Sequence, residues 1–248
     1  MFKNFVAIVL AAGKGTRINA KKINKVMYPL AGKPMIDYTI DLLSKVGFIK
    51  IIIVVGFKKQ AIIKHLGKGF IYAYQKKRLG TADACRVGLS KAPKGTKDVL
   101  VINADDSAFY PHRVIKNMVL KHIREKCDLT FLTVEMKNPN IARVIKDGRG
   151  KILGVVEQQN LKPGQNEFKE INCGCYCFST NLLKKFLPQV SKNSVSQEYY
   201  ITELIDMGIR NKQKVKAFKM GKEDYWYGVN TKQQLEKAEE IMDKDEKK

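Results

Sequence analysis

An unbroken apolar run, Phe5-Val6-Ala7-Ile8-Val9-Leu10, discharges directly into the loop Ala11-Ala12-Gly13-Lys14-Gly15-Thr16-Arg17. A segment that is apolar at every position has no face left for water, so it fits a strand covered on both sides, the setting of a parallel sheet between helices. The loop that follows gathers small side chains and two cations. Small residues let backbone N–H groups approach anionic oxygens closely, while Lys14, Arg17 and the later Lys25 neutralise charge that amides alone cannot. Such a loop holds phosphate. It is neither the Gly-x-Gly-x-x-Gly dinucleotide fingerprint nor a Walker loop: Ile18 stands at the third glycine position, and no Gly-Lys-Ser/Thr follows.

Strand and helix patterns alternate through the first half. The apolar face from Met35 to Leu43, closed by Gly47, predicts a helix whose first turn is set by Pro34. Ile49 to Val55, Phe70 to Tyr74 and Val99 to Asn103 read as strands; Ala61 to Leu66, Thr81 to about Lys91, and a stretch opening at Pro111 read as helices, with Thr81 as a cap. From Asp128 the pattern turns to shorter strands, Leu129 to Val134, Ala142 to Ile145 and Ile152 to Glu157, the last two joined by the turn Asp147-Gly148-Arg149-Gly150. The expected fold is α/β: a Rossmann-like, mostly parallel sheet flanked by helices, with a small β-rich lid. We expect one domain over residues 1–242, its halves meeting near residue 127, then a last helix over about 231–242 and a charged tail, 243–248.

The net charge of +22 raises nucleic acid as a partner. Lysine is scattered over nearly every segment, however, without concentrated arginine and interleaved aromatics, so a lysine-rich composition explains the total better and no nucleic acid is expected. A basic cleft still favours anionic substrates. No stretch is long and apolar enough to span a membrane, and the first residues lack a secretory pattern, so a cytoplasmic protein is expected. Five cysteines fit a reducing compartment rather than a disulfide framework. Cys173, Cys175 and Cys177 share one strand face and read as core packing, not a zinc site. His65, His112 and His122 read as helix-surface residues.

Two further stretches have the residue types for chemistry, and each read alone is equally an ordinary polar loop. Gln75, at a strand end, has an amide that can donate and accept along a base edge, and the Gly80-Thr81 turn supplies close backbone amides. Asn103-Ala104-Asp105-Asp106 falls at the carboxyl end of a strand, where open α/β sheets place ligands. A carboxylate facing polyphosphate calls for a divalent cation, and Mg²⁺ prefers a few hard oxygens plus phosphates and water.

Leu10 to Arg17, followed by Lys25-Val26 and Leu30-Ala31-Gly32-Lys33-Pro34-Met35, resembles the sugar-phosphate nucleotidyltransferases, and within them the pyrophosphorylase domain of bacterial N-acetylglucosamine-1-phosphate uridylyltransferases. The resemblance runs from about Val6 to Leu235, with the motifs in the family's order. It implies that Leu10, Ala11, Ala12, Gly13 and Gly15 wrap the nucleotide phosphates, with Arg17 and Lys25 as catalytic cations. It implies that Gln75, Gly80 and Thr81 read the base, that Asn103 and Ala104 lie along the nucleotide, and that Asp105 and Asn230 ligate Mg²⁺. Ala142, Glu157, Asn172, Tyr200 and Thr202 match the sugar-contacting positions. Asn24, Ala104, Ser107 and Ala142 replace the family's proline, glycine, proline and glycine, and Asp83 is a further departure. The activity implied is uridylyl transfer from UTP to N-acetylglucosamine 1-phosphate, releasing pyrophosphate, without the acetyltransferase domain of the family's bifunctional members. Alternatives left open are glucose 1-phosphate with uridylyl or thymidylyl transfer, cytidylyl transfer on the same fold, or a non-catalytic nucleotide- or nucleic-acid-binding protein. The oligomeric state is not read from the sequence.

Overall fold

The computed structural model describes residues 2–15, 23–137, 141–222, 224 and 226–246. Arg17 and Thr16 lie outside the described residues.

The first strand, β1 (Phe5–Ala11), is buried at every position. Its odd residues Phe5, Ala7 and Val9 enter one apolar cluster, and Val6, Ile8 and Leu10 enter another. The period-two geometry of a strand thus divides one continuous apolar run between two cores, one on each side of the sheet. After a two-strand hairpin, β2 (Pro29–Leu30) and β3 (Lys33–Pro34), helix α1 (Met35–Val46) returns the chain and is closed by Gly47 at φ 102°. The next strand, β4 (Ile51–Val55), pairs parallel with β1; α2 (Lys59–Leu66) leads to β5 (Ile71–Tyr74), parallel to β4.

The chain then changes direction. After α3 (Thr81–Leu89), strand β6 (Asp98–Asn103) pairs with the other edge of β1, also parallel. That reversal creates a switch point at the carboxyl ends of β1 and β6, the crevice where open α/β sheets bind ligands. The sheet continues outward through α4 (His112–Glu125), β7 (Leu129–Glu135), β8 (Arg143–Lys146), β9 (Ile152–Val156) and β10 (Glu170–Ser179). Helices α5 (Thr180–Phe186) and α6 (Glu203–Arg210), strand β11 (Val215–Lys219) and helix α7 (Lys232–Glu246) finish the chain. Among the described residues the sheet order is β11-β7-β10-β6-β1-β4-β5, with β8 and β9 attached beside β10. Most pairs along that path are parallel; β10 alone runs against both of its neighbours.

Several sequence expectations need correction. Thr81 is the first residue inside α3 rather than its cap, and its hydroxyl accepts instead from the Ile201 amide at 2.9 Å. The last helix extends through Glu246, so Asp243 to Glu246 are helical rather than tail. His122 is 1% exposed and bonds Thr130 Oγ1 through Nδ1 at 2.9 Å, because α4 lays that face on the sheet. The cysteines of β10 are buried together in the core beneath α4. No described helix is long and apolar enough to cross a membrane.

Candidate active site

A cavity of about 460 Å³ opens at the switch point. Leu10 and Ala11 line it from the end of β1 and Ala12, Gly13 and Gly15 from the loop after it, with Gln75, Gly80 and Thr81 on one flank and Asn103, Asp105, Lys25 and Asn230 on the other. Residues separated by more than two hundred positions in sequence therefore meet around one space.

Lys25 and its partners form the most charged part. The Lys25 ammonium lies 2.5 Å from Asp105 Oδ2 and 3.0 Å from Asn230 Oδ1, and Lys25 is 5% exposed. A cation so buried needs paired acceptors, and the two side chains assigned to metal supply them. Their convergence on one ammonium shows that both oxygens point at a common place and that this place suits positive charge. A carboxylate and an amide oxygen are hard donors, too few to complete a shell alone, which matches the way Mg²⁺ is held with water and substrate phosphate.

The backbone is fixed where the family's residues are replaced. Asn24, fully buried, donates through Nδ2 to Ala11 O at 3.2 Å and Phe57 O at 2.8 Å, and Oδ1 accepts from Val26 N at 3.1 Å. Three hydrogen bonds thus hold the turn before Lys25 in place of a proline ring. Ser107 is buried against Thr39 of α1 at 2.5 Å, and the Thr39 hydroxyl also donates to Ala104 O at 3.2 Å, so the segment carrying Asp105 is pinned at both sides. Asn230 is placed by the start of α7. Gln234 Oε1 accepts from Asn230 N at 2.7 Å and Thr231 N at 3.0 Å, while Gln234 N donates to Thr231 Oγ1 at 3.2 Å, a reciprocal capping box. Its signature, Thr231-x-x-Gln234, is visible in the sequence and was a missed signal for this support.

Asp106 also lines the cavity; its Oδ2 accepts from Asn103 Nδ2 at 3.1 Å, and its backbone oxygen takes the Trp226 indole N–H at 3.0 Å. Gly174, at φ 80°, sits where β10 breaks register between Asn172 and Tyr176, and a Cβ there would lie 2.5 Å from Asn103 Nδ2. Glycine is needed at that bulge for both conformation and space. Arg78 and Glu198 line the cavity as well and had no assignment from sequence.

The residues matched to sugar divide. Glu157, Tyr200 and Thr202 line a second cavity of about 260 Å³, where Thr202 Oγ1 donates to Glu157 Oε1 at 2.8 Å and Gln159 Nε2 donates to the Tyr200 hydroxyl at 3.2 Å. Asn172, in β10, and Ala142, just before β8, are buried and line neither cavity. Asn172 Nδ2 donates to the Tyr176 hydroxyl at 2.6 Å, its Oδ1 accepts from Gly174 N at 3.4 Å, and its own amide nitrogen donates to Ala142 O at 3.2 Å. Burial pushes the Tyr176 phenol well up, which keeps it neutral as an acceptor for that amide.

The nucleotidyl transferase family model matches residues 6–245. The bifunctional protein GlmU of Clostridioides difficile is 34% identical over 240 residues, covering 96% of this chain and 52% of that protein. The bifunctional protein GlmU of Lactobacillus helveticus is 35% identical over 239 residues, covering 95% and 51%. The chain therefore spans about half the length of the curated relatives it matches. A solved structure, a provisionally assigned glucose-1-phosphate thymidylyltransferase from Bacillus anthracis, superposes with a TM-score of 0.79 at 23% identity, covering 96% of this chain and 94% of that one. That likeness carries the fold, and the sequence match carries the family: this chain belongs to the nucleotidyl transferase family.

Proposed function

We propose that the protein transfers a uridylyl group from UTP to N-acetylglucosamine 1-phosphate, releasing pyrophosphate. The observation that carries this is the convergence of Lys25, Asp105 and Asn230 at one end of a cavity whose other flank holds Gln75 and Gly80. A phosphate-binding loop lies between a cation-seeking end and a base-sized, hydrogen-bonding end. The acceptor enters from the side of Glu157, Tyr200 and Thr202, whose carboxylate and hydroxyl groups suit vicinal hydroxyls.

The attacking oxygen of a sugar 1-phosphate is already anionic, so the site needs no general base and works by positioning and charge stabilisation. Asp105 and Asn230 would hold Mg²⁺, which when bound neutralises charge on the phosphoryl oxygens. Lys25 would pair with substrate phosphate, and the amides of the Gly13–Gly15 loop would hold the leaving pyrophosphate. Arg17 is proposed as the second cation on it. The unit is read as one domain that includes all of α7, through Glu246, and the five thiols fit the reducing cytoplasm.

The test is a panel of the four common nucleoside triphosphates against N-acetylglucosamine, glucose and galactose 1-phosphates, read by pyrophosphate release with Mg²⁺ present. UTP with N-acetylglucosamine 1-phosphate should give the highest kcat/KM. A glucose 1-phosphate preference that reverses in Ala142→Gly would assign acceptor choice to that methyl and overturn the named sugar.

A further inference from the structure

Gln75 follows the end of β5 and is 5% exposed. Its Nε2 donates to Gly80 O at 3.1 Å and to Asp83 Oδ2 at 2.8 Å. Both partners are acceptors only, a peptide carbonyl and a carboxylate, so the amide can meet them with its NH₂ end and in no other sense. Both amide hydrogens are used there. Oε1 takes no hydrogen bond from the described residues, and Gln75 lines the large cavity. Asp83, in the first turn of α3, is 7% exposed and is itself held by the Arg86 guanidinium on its other oxygen. Turning the Gln75 amide over would set its oxygen against two acceptors in a buried place, which disfavours the turned state.

Resting on the nucleotidyl-transfer reading of this cavity, we propose that Asp83 is a positioning residue that locks the Gln75 amide with its oxygen toward the nucleotide. The site then selects a base whose ring nitrogen carries a hydrogen. N3 of uracil or thymine donates to that oxygen; N3 of cytosine is an acceptor and opposes it, lone pair to lone pair. UTP and CTP have nearly the same shape, so their ratio reads the polarity of the amide rather than the size of the pocket.

Asp83→Asn keeps the shape and supplies a donor, which stabilises the turned Gln75. The measurement is kcat/KM for UTP and CTP with one sugar 1-phosphate in the parent, Asp83→Asn, Gln75→Ala and the double variant. The UTP-to-CTP ratio should fall by about tenfold or more in Asp83→Asn, mostly through KM, and the same change should leave the ratio untouched in the Gln75→Ala background. Equal loss for both triphosphates, or the same ratio change without Gln75, would show a merely structural Asp83. Calorimetric binding of UTP and CTP reads the same ratio without turnover, so a parent that releases no pyrophosphate refutes the transfer reading while this one is still decided. Should Asp83→Asn not fold, 3-methyluridine triphosphate tests the parent directly. It should bind as poorly as CTP, and binding equal to UTP would overturn the inference.

Discussion

Gly80 joins conformation and space at a single position. Its φ is 103°, and a Cβ there would lie 2.4 Å from Tyr199 O and 2.7 Å from Tyr199 N, both rigid backbone atoms. Gly80→Ala is expected to cost about 1–3 kcal/mol in unfolding free energy and to raise KM for the triphosphate, because the flank that carries Gln75 is pushed outward. Denaturant melts with initial rates check both effects, and a variant with parental stability would contradict the geometry. Asp105 and Asp106, adjacent in sequence, differ in their neighbours: the first faces the Lys25 ammonium, the second the Asn103 amide. Asp105→Asn should lower kcat by about 10²-fold or more at saturating Mg²⁺, with Asp106→Asn much milder. Equal losses in the two variants would remove the assignment of the metal to Asp105.

At the scale of elements, α6 is fastened to β9 through Asp206, whose Oδ1 accepts from Val155 N at 3.0 Å. Burial raises the Asp206 carboxyl above its ordinary 3.8, only partly offset by that backbone hydrogen bond. A carboxyl with a raised folded pKa keeps its proton longer in the native state than in the unfolded chain. Stability should therefore be higher below 3.8 by this contribution and should fall as pH climbs from 3.8 through the raised value. Urea melts across that window should show stability falling less, or rising more, with pH in Asp206→Asn than in the parent, and an unchanged slope would exclude Asp206 as a contributor. Elements built on local signals were legible in the sequence: the buried β1, the Gly47 stop of α1, the hairpin turn at 147–150. β11 escaped notice because its outward lysines, Lys216 and Lys219, belong to an edge strand and break the apolar pattern. Helices α5 and α6 were likewise not assigned. In the site, motif order named most cavity-lining residues, whereas the roles of Asp83 and Asn24 depend on partners that only the folded chain brings near.

Across the whole molecule, every cysteine is buried and unpaired, and burial pushes the Cys85 thiol up to about 12 and the thiols of Cys173, Cys175 and Cys177 higher than usual. A thiol that is both inaccessible and protonated is a poor nucleophile. Ellman's reagent should titrate almost none in the native protein and five after unfolding; rapid native reaction would contradict the packing of β10. The backbone between the two halves has a different significance. Tyr199 N donates to Leu79 O at 2.8 Å, Ala82 N donates to Tyr199 O at 2.9 Å, and Ile201 N donates to Thr81 Oγ1, so the segment carrying Gly80 and Thr81 is laced to the segment carrying Tyr200. Two substrates that meet such a shared strip are thermodynamically linked: ordering it for the first removes part of the entropic penalty for the second, and each ligand's dissociation constant should tighten in the presence of the other by one common factor.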